Sequence, residues 1–183
     1  GPPCTKTGNF TLWNRTEHAK SRKGVGGMLE IKIPGRPQPL QIQAVALDYN
    51  GTIARDGALL EAAIPCIRQL GKLVPVYVLT ADTYGTVQEQ CRDLPVCVKT
   101  FPRENAAPCK EEIVRSLGKG VAAVGNGFND IPMFDASALA VAVIEKEGVC
   151  AALLSHADVV VTSPEDALLL LLKPDRLRAT LRS

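Results

Sequence analysis

Apolar and polar residues follow two different periods along most of this chain. Residues 29–33 alternate strictly between the two types, as a half-buried strand does. Six apolar runs predict the strands of a core sheet, at residues 41–47, 74–79, 96–99, 121–124, 138–144 and 159–161. Helices are predicted between and after them, at residues 60–70, 84–92, 108–118, 131–136, 148–155, 164–172 and 176–181. This alternation predicts an α/β fold, a Rossmann-like three-layer sandwich with a mainly parallel sheet.

The first 27 residues do not share this pattern. They are polar and basic, lack periodicity and end in Gly24-Val-Gly-Gly27. We expect residues 1–27 to be a flexible leader or vector-derived residues, with Met28 as the natural start. Residues 28–183 then form a single domain, which is long enough to bury one sizeable core.

Composition narrows the choice of partners and location. A formal net charge of +2 is too small to favour nucleic acid or an anionic membrane, and 4% aromatic residues are too few for base stacking. The most apolar stretch, residues 167–172, is far shorter than the roughly 20 residues of a membrane helix. The six cysteines form no C-x-x-C pair and no secretory signal is recognisable, so we expect reduced thiols in a cytoplasmic protein.

Polar residues stand where three of the predicted core strands end. Asp48 follows the first strand, with Gly51 and Thr52 just behind it; Thr80 follows the second strand and Asp130 the fourth. Taken alone, Asp48 is more simply a turn or helix-cap residue. The carboxyl ends of parallel strands meet at one edge of the sheet, however, and open α/β sheets bind their ligands there. The three strand ends together predict a carboxylate nucleophile beside Mg²⁺, which is the chemistry of phosphoryl transfer.

The carboxylate nucleophile and a phosphate group are both anions and repel each other. The site therefore needs a cation and hydrogen-bond donors. Lys110, in the first turn of a predicted helix, is the preferred candidate, and Lys99, at the end of a short strand, is its rival. We expect the Thr80 hydroxyl and the backbone around Ala81 to bind phosphate. Gly51 has no side chain and would let the backbone approach the phosphate closely.

Four motifs in this order resemble the haloacid dehalogenase superfamily. They are Asp-x-x-Gly-Thr, Leu-Thr at a strand end, Pro-x-Lys opening a helix, and Gly-x-Gly-x-Asn-Asp. The resemblance covers roughly residues 42–172, and residues 108–130 are similar to the phosphorylation domain of P-type ATPases. The nearest group is the soluble, stand-alone P-type-ATPase-like phosphatases. The resemblance implies a magnesium-dependent phosphatase that forms an aspartyl-phosphate.

The resemblance also implies a role for each motif residue. Asp48 would be the phosphorylated nucleophile, while Thr80 and Lys110 would hold the phosphoryl group. The implied metal ligands and their neighbours are Asp48, the backbone carbonyl of Asn50, Asn126, and Asp130 at the metal or directly behind it. Asn129 would orient this neighbourhood.

Two positions depart from the pattern of the superfamily. Most of its phosphatases carry Asp two residues after the nucleophile as general acid and base, where this chain has Asn50. The usual metal-binding Asp is replaced by Asn126, a neutral oxygen ligand that should weaken magnesium binding. The alternative is therefore a catalytically weakened or non-catalytic module that binds phosphate or a partner. A generic nucleotide-binding domain is disfavoured because no G-x-G-x-x-G or Walker loop follows the first strand.

The spacing of the motifs leaves no room for a domain that covers the site. Between Thr52 and Thr80 the chain can form only a flap, at residues 53–59, and one helix. We therefore expect a capless fold with an open site, reached by a phosphorylated macromolecule or small molecule, or covered by a second copy of the chain. On the flap, Arg55 and Asp56 are candidate substrate contacts, whereas Tyr49 is expected to pack in the core.

Overall fold

The computed structural model describes residues 27–82 and 84–183. The strands of this part of the chain are β1 Leu29–Ile31, β2 Leu40–Ile42, β3 Ala44–Asp48, β4 Ala54–Arg55, β5 Ala58–Leu59, β6 Val76–Thr80, β7 Cys97–Thr100, β8 Val121–Gly125, β9 Leu139–Val143 and β10 Val159–Val161. Its α-helices are α1 Ile64–Leu70, α2 Thr86–Gln90, α3 Ala106–Ser116, α4 Ile131–Asp135, α5 Pro164–Leu172 and α6 Pro174–Leu181. Short 3₁₀ helices occur at Glu61–Ala63, Arg103–Asn105, Phe128–Asp130 and Ala151–His156. The predicted leader, residues 1–27, lies outside the described residues except for Gly27.

Six strands form one parallel sheet in the order β10-β9-β8-β3-β6-β7. The chain begins this sheet at β3, continues outward through β6 and β7, and then returns to β8 on the other side of β3. The order of connection therefore reverses between β3 and β8. In open α/β sheets a crevice forms at such a reversal, outside the carboxyl ends of the two strands. Asp48 ends β3 at this crevice.

The two faces of the sheet carry side chains of different size. Val45 and Leu47 of β3 pack in one core cluster with α1, α5 and α6, whereas Ala44 and Ala46 pack in the other with α3 and α4. Successive residues of a strand point to opposite faces, so the alternation follows from the backbone. The predicted three-layer α/β sandwich is confirmed. The leucine-rich helix α5 is part of its core, since Leu168 is fully buried.

The predicted first core strand is wrong in its extent, because residues 41–47 do not form one strand. The run breaks at Gln43, which is exposed, and β2 pairs with β1 as a separate antiparallel hairpin. The break occurs where the backbone N–H groups of Gln43 and Ala44 donate to the carbonyl of Gly120, at 2.7 and 3.3 Å. Both sides of β3 are then occupied by β6 and β8, so β2 cannot join that sheet.

The segment predicted as a helix at residues 148–155 is a 3₁₀ helix, Ala151–His156. Most other elements agree with the prediction to within a few residues at each end. Residues 53–59 form the β4–β5 hairpin, hereafter the flap, and no further domain covers the sheet edge in the described residues. The expectation of a capless fold is confirmed for that part of the chain. None of the helices in residues 27–82 and 84–183 is long and apolar enough to cross a membrane.

Three of the described cysteines, Cys66, Cys91 and Cys150, are free thiols, as the sequence predicted. Cys109 lies on α3 and is 1% exposed. Cys4 lies outside the described residues, so the expectation of reduced thiols throughout the chain stays a prediction.

Candidate active site

Asp48 is held in the crevice by two side-chain donors. Lys110 Nζ lies 2.9 Å from Asp48 Oδ1, and Thr52 Oγ1 lies 3.1 Å from Asp48 Oδ2. The aspartate is 7% exposed, so only a small part of it reaches solvent. A carboxylate fixed at both oxygens has little rotational freedom. This arrangement suits a nucleophile that must meet phosphorus in one orientation.

Lys110 is the cation that connects the two buried acids. Its ammonium donates to Asp48, to Asn129 Oδ1 at 2.8 Å and to Asp130 Oδ1 at 2.8 Å. The lysine is 4% exposed, and these three oxygens match the three protons of the ammonium group. Its rival Lys99 lies on β7, with its Nζ 5.9 Å from the centre of the Tyr77 ring. The structure thus brings Lys110 to Asp48, as the sequence analysis preferred.

Asp130 is fully buried, and both of its oxygens are occupied. Oδ1 accepts from Lys110, and Oδ2 accepts from the backbone N–H groups of Asn126 at 3.1 Å and Gly127 at 3.0 Å. Gly125 is needed behind it, since a Cβ there would lie 2.5 Å from Asp130 Oδ2. Asp130 therefore fixes Lys110 and the loop after β8. Asn129 accepts from the same ammonium group, and its predicted role of orienting this neighbourhood stays a prediction.

Asn126 reaches the site from the loop after β8. Its Nδ2 donates to the carbonyl of Gly148 at 3.1 Å, which turns Oδ1 toward Thr52 Oγ1 at 3.2 Å. The Thr52 hydroxyl thus lies between Asp48 and Asn126. Gly51 adopts φ +76°, and a Cβ on it would lie 2.3 Å from Asn126 Nδ2. The close approach that Gly51 permits in this structure is therefore to Asn126.

The remaining predicted residues lie at the same edge of the sheet. Thr80 ends β6 and is 2% exposed; its Oγ1 accepts from the N–H of Asp82 at 3.1 Å, which leaves the hydroxyl proton to be donated. Ala81 follows directly, so its backbone lies beside that of Thr80. Asn50 is exposed, and its backbone bridges to Ala54 at the start of the flap. Thr80 can therefore cap the turn and bind an anion at once.

Burial and charge together set the protonation of the site. Burial first, and then the nearby Asp130 carboxylate, raise the pKa of Asp48 to about 7. Lys110 and Thr52 oppose this by favouring the ionised carboxylate. Burial lowers the pKa of Lys110, but the Asp48 and Asp130 carboxylates outweigh it and raise that pKa overall. Lys110 is accordingly held in its charged form, whereas Asp48 ionises near neutral pH and is favoured in its ionised form when another cation approaches.

The oxygen donors beside Asp48 fit a magnesium ion that keeps part of its water shell. Asp48 Oδ2 and Asn126 Oδ1 both lie next to Thr52 Oγ1, so a carboxylate and an amide oxygen converge. Mg²⁺ prefers such hard oxygens and is commonly held by one or two carboxylates plus waters. In the described residues no three His, Cys, Asp or Glu side chains cluster to hold a metal. Asp48 and Asn126 would give such a cation one charged and one neutral oxygen ligand.

Thr52 is a site residue to which the sequence analysis assigned no role. It is fully buried and contacts both Asp48 and Asn126. Its place in the Asp-x-x-Gly-Thr motif, four residues after Asp48, was the available signal. The tight turn at Gly51 returns the chain, so that a residue four positions later can reach the carboxylate.

The flap is fixed on one side by Tyr49 and Gln90. The buried Tyr49 hydroxyl lies 2.9 Å from both the Gly57 carbonyl and Gln90 Oε1. Gln90 also donates to Gly57 at 2.8 Å and accepts from the N–H of Leu59 at 2.7 Å. Core packing of Tyr49, the expected reading, is confirmed. Sequence did not indicate the contact with Gln90, because 41 residues separate the two.

The other side of the flap contacts the loop after β9. Arg55 forms an ion pair with Glu145, and the N–H of Asp56 donates to Glu147 Oε2 at 3.2 Å. Arg55 and Asp56 were candidate substrate contacts. In this structure Arg55 is engaged by Glu145, while the Asp56 side chain lies exposed at the flap turn.

Solved structures resemble this fold although neither a family model nor a curated protein matches the sequence. The 3-deoxy-D-manno-octulosonate 8-phosphate phosphatase of Moraxella catarrhalis, in complex with magnesium, phosphate and KDO, is 14% identical over 77% of this chain and 94% of that one, with a TM-score of 0.60. The cobalt-bound deoxy-D-mannose-octulosonate 8-phosphate phosphatase of Haemophilus influenzae is 15% identical over 78% and 94%, with a TM-score of 0.59. The chain shares the fold of these phosphatases and of solved hydrolases described as HAD family members.

A zinc-transporting ATPase contains a similar fold as one part of its length. A zinc-transporting PIB-type ATPase in the E2P state is 26% identical over 67% of this chain but only 20% of that one, with a TM-score of 0.55. This agrees with the similarity of residues 108–130 to the phosphorylation domain of P-type ATPases. Within the haloacid dehalogenase fold, Asp48, Thr80, Lys110 and Asp130 all lie at the carboxyl edge of the sheet.

The raised pKa of Asp48 predicts how activity depends on pH. Only the ionised carboxylate can attack phosphorus, and its pKa is raised from 3.8 to about 7. At low magnesium, kcat/KM should therefore increase as the pH rises through about 7. A bound cation favours the charged form, so saturating magnesium should move this limb to lower pH. Profiles of kcat/KM against pH at two magnesium concentrations test this, and a limb that magnesium does not move would contradict it.

The contacts of Lys110 predict which lysine matters. Lys110→Ala should lower turnover by roughly 10²- to 10³-fold, the usual loss for one electrostatic stabiliser. Lys99→Ala, which removes the same charge at the end of β7, serves as the matched control and should retain most of the activity. Steady-state kinetics with an aryl phosphate, plus circular dichroism to verify folding, make the comparison. Greater damage from Lys99→Ala would reverse the assignment.

Proposed function

We propose that this protein is a magnesium-dependent phosphohydrolase that acts through an aspartyl-phosphate on Asp48. One observation carries the proposal: Lys110 links Asp48 to Asp130 at the crevice where the strand order reverses. A buried carboxylate beside a fixed cation, at an edge where α/β sheets bind ligands, suits attack on a phosphate. The motif order supports the same chemistry.

Each residue of the site has a separate role in such a reaction. Asp48 supplies the attacking oxygen, Thr80 donates its hydroxyl proton to a phosphate oxygen, and Lys110 offsets negative charge at the attacking carboxylate. Asp130 and Asn129 keep the ammonium group in place. A bound Mg²⁺, held by Asp48, the Asn50 carbonyl and Asn126 Oδ1, would polarise the phosphate and neutralise its charge. Water then releases the phosphate from Asp48.

The solved structures support this proposal through what they contain. One phosphatase of similar fold was solved with magnesium and phosphate, another with cobalt. The ATPase was solved in its E2P state. We infer by extension that the present chain uses a divalent cation and is phosphorylated on the aspartate that ends its central strand.

A binding module without turnover is the second candidate, favoured by two amides. Asn50 and Asn126 stand where most phosphatases of the superfamily carry acids, and neither can exchange a proton or supply negative charge. Such a module would bind phosphate or a partner at the same crevice. A phosphate-release assay with magnesium and an aryl phosphate separates it from the enzyme.

The identity of the phosphorylated substrate stays a prediction, whether small molecule or macromolecule. Three further expectations also stay predictions. They are the absence of nucleic-acid and membrane partners, the cytoplasmic location, and a second copy of the chain that covers the open site. A screen of phosphorylated metabolites addresses the identity of the substrate most directly.

Asp48→Asn should abolish phosphate release and leave the fold intact. An amide has nearly the same shape as the carboxylate but is a poor nucleophile. Acid-quench trapping after incubation with labelled substrate should detect a phosphoenzyme in the wild type and none in the variant. The matched control is Asp82→Asn, an acid-to-amide change after β6. Retained turnover in Asp48→Asn would remove Asp48 from the mechanism.

Asn126→Asp should lower the magnesium concentration that gives half-maximal activity. A carboxylate attracts the cation more strongly than an amide oxygen does, even though the variant loses the hydrogen bond to Gly148. Gln41→Glu, on β2 at the opposite edge of the fold, makes the same chemical change away from the site. Magnesium titration of all three proteins is the measurement. An unchanged titration in Asn126→Asp would show that Asn126 does not face the ion, and activity that survives exhaustive EDTA would exclude a divalent cation.

A further inference from the structure

A leaving oxygen in phosphate hydrolysis either departs as a stable anion or needs a proton. An alkoxide usually needs one, whereas a phenolate or a carboxylate departs without it. The substrate class of a phosphohydrolase therefore depends on whether any group at the mouth of the site can supply that proton. The following inference rests on the proposed function.

The residue at the usual position of the general acid cannot act as one. Asn50 is exposed two residues after Asp48, and its carboxamide neither gives nor takes a proton near neutral pH. Its backbone bridge to Ala54 fixes this position at the base of the flap. A general acid for the leaving group would therefore have to come from another helix, strand or loop.

The carboxyls that follow β6 and β8 at this edge are already used as acceptors. Asp82 accepts from the N–H groups of Val87 at 2.9 Å and Tyr84 at 3.0 Å, and these hydrogen bonds lower its pKa. Asp130 is enclosed by Lys110 and two backbone amides, with no exposed surface. The hydrogen bonds to Asp82 thus favour its ionised form, and Asp130 is too enclosed to reach a leaving group.

The glutamates after β9 are engaged in the same way. Glu145 accepts from the N–H of Lys146 and pairs with Arg55, and these contacts lower its pKa. Glu147 accepts from the backbone of Asp56. The Asp56 side chain is exposed at the flap turn, so the test includes a variant of it.

Two aromatic rings lie on the loops that flank Asp48. Tyr84 follows β6 and is 95% exposed, while Phe128 follows β8 and is 70% exposed. They are the two most exposed large apolar side chains of the described residues. Since β6 and β8 are the neighbours of β3, their ends are about 10 Å apart, two strand spacings. A flat apolar leaving group above Asp48 would lie between these loops.

We propose that the site acts on aryl phosphates, whose leaving group departs without a proton and packs against Tyr84 and Phe128. An Asp48 oxygen forms a bond to phosphorus while the bond from phosphorus to the phenolic oxygen breaks. The electron pair of that bond leaves with the phenolate, which takes its proton from solvent. Water then attacks phosphorus, restores the Asp48 carboxylate, yields inorganic phosphate and loses a proton to solvent.

The first test varies the acidity of the leaving group. The wild type with magnesium is assayed on substituted phenyl phosphates and simple alkyl phosphates, and log kcat/KM is plotted against leaving-group pKa. A steep slope is expected in the wild type. Asn50→Asp should flatten it and narrow the aryl-to-alkyl ratio by about 10²- to 10⁴-fold, the usual contribution of a general acid. Asp56→Asn should leave the slope unchanged.

The second test removes the rings. Tyr84→Ala and Phe128→Ala should each raise KM for a phenyl phosphate by roughly 2- to 12-fold without changing kcat, as expected for the loss of one aromatic contact. The KM for acetyl phosphate, which also needs no proton but has no ring, should not change. Leu73→Ala is the control, because Leu73 is an exposed apolar residue before β6, at the far edge of the sheet.

Each contrary result would overturn a different part of the proposal. A shallow slope in an active wild type, or a slope that steepens in Asp56→Asn, would overturn the substrate class alone. An unchanged KM in both ring variants would remove the aromatic contact and with it the preference for aryl over acyl phosphates. No turnover of any phosphate, with no Asp48-dependent labelling, would overturn the phosphohydrolase itself.

Discussion

The ammonium group of Lys110 is the interaction on which the site depends. Two carboxylates, Asp48 and Asp130, are buried at one edge of the sheet, and each contacts the same nitrogen within 3 Å. Without that cation their mutual repulsion and the loss of hydration would be uncompensated, because a buried unpaired charge costs several kcal/mol. The reversal of strand order brings β3 and β8 together, and α3 delivers the lysine between them. The strand order that creates the crevice therefore also brings the three charged residues together.

The single charge of Lys110 does not balance the charges of both carboxylates. One cation faces two carboxylates, so the trio keeps a net negative charge that favours a further cation. Burial and then the Asp130 carboxylate raise the pKa of Asp48 to about 7, and a further cation would favour its ionised form. Asn126 contributes an oxygen but no charge to the place where that cation would bind. Catalytic competence and metal binding are thus linked through Asp48 itself.

Much of the fold could be predicted because its signals are local. Apolar runs with turns between them indicated a parallel sheet, and the acids at strand ends indicated one edge as the site. The choice of Lys110 over Lys99 also followed from its place in the chain. What sequence could not show depends on distant residues. The break at Gln43 follows from Gly120, 77 positions later. The contact between Tyr49 and Gln90 likewise joins separate elements.

The tip of the flap, residues 55–59, is attached to the rest of the molecule mainly by side chains, whereas Ile53 and Ala54 at its base are buried in the core. Tyr49 and Gln90 hold one side of the tip and the two glutamates after β9 hold the other, while the β4–β5 hairpin is not part of the central sheet. The tip can therefore separate without breaking a ladder of the central sheet. Such local opening requires far less free energy than global unfolding. The Leu59 amide should then exchange its hydrogen with solvent much faster than the amides of β3, and the gap between the two rates would measure how often the mouth of the crevice widens.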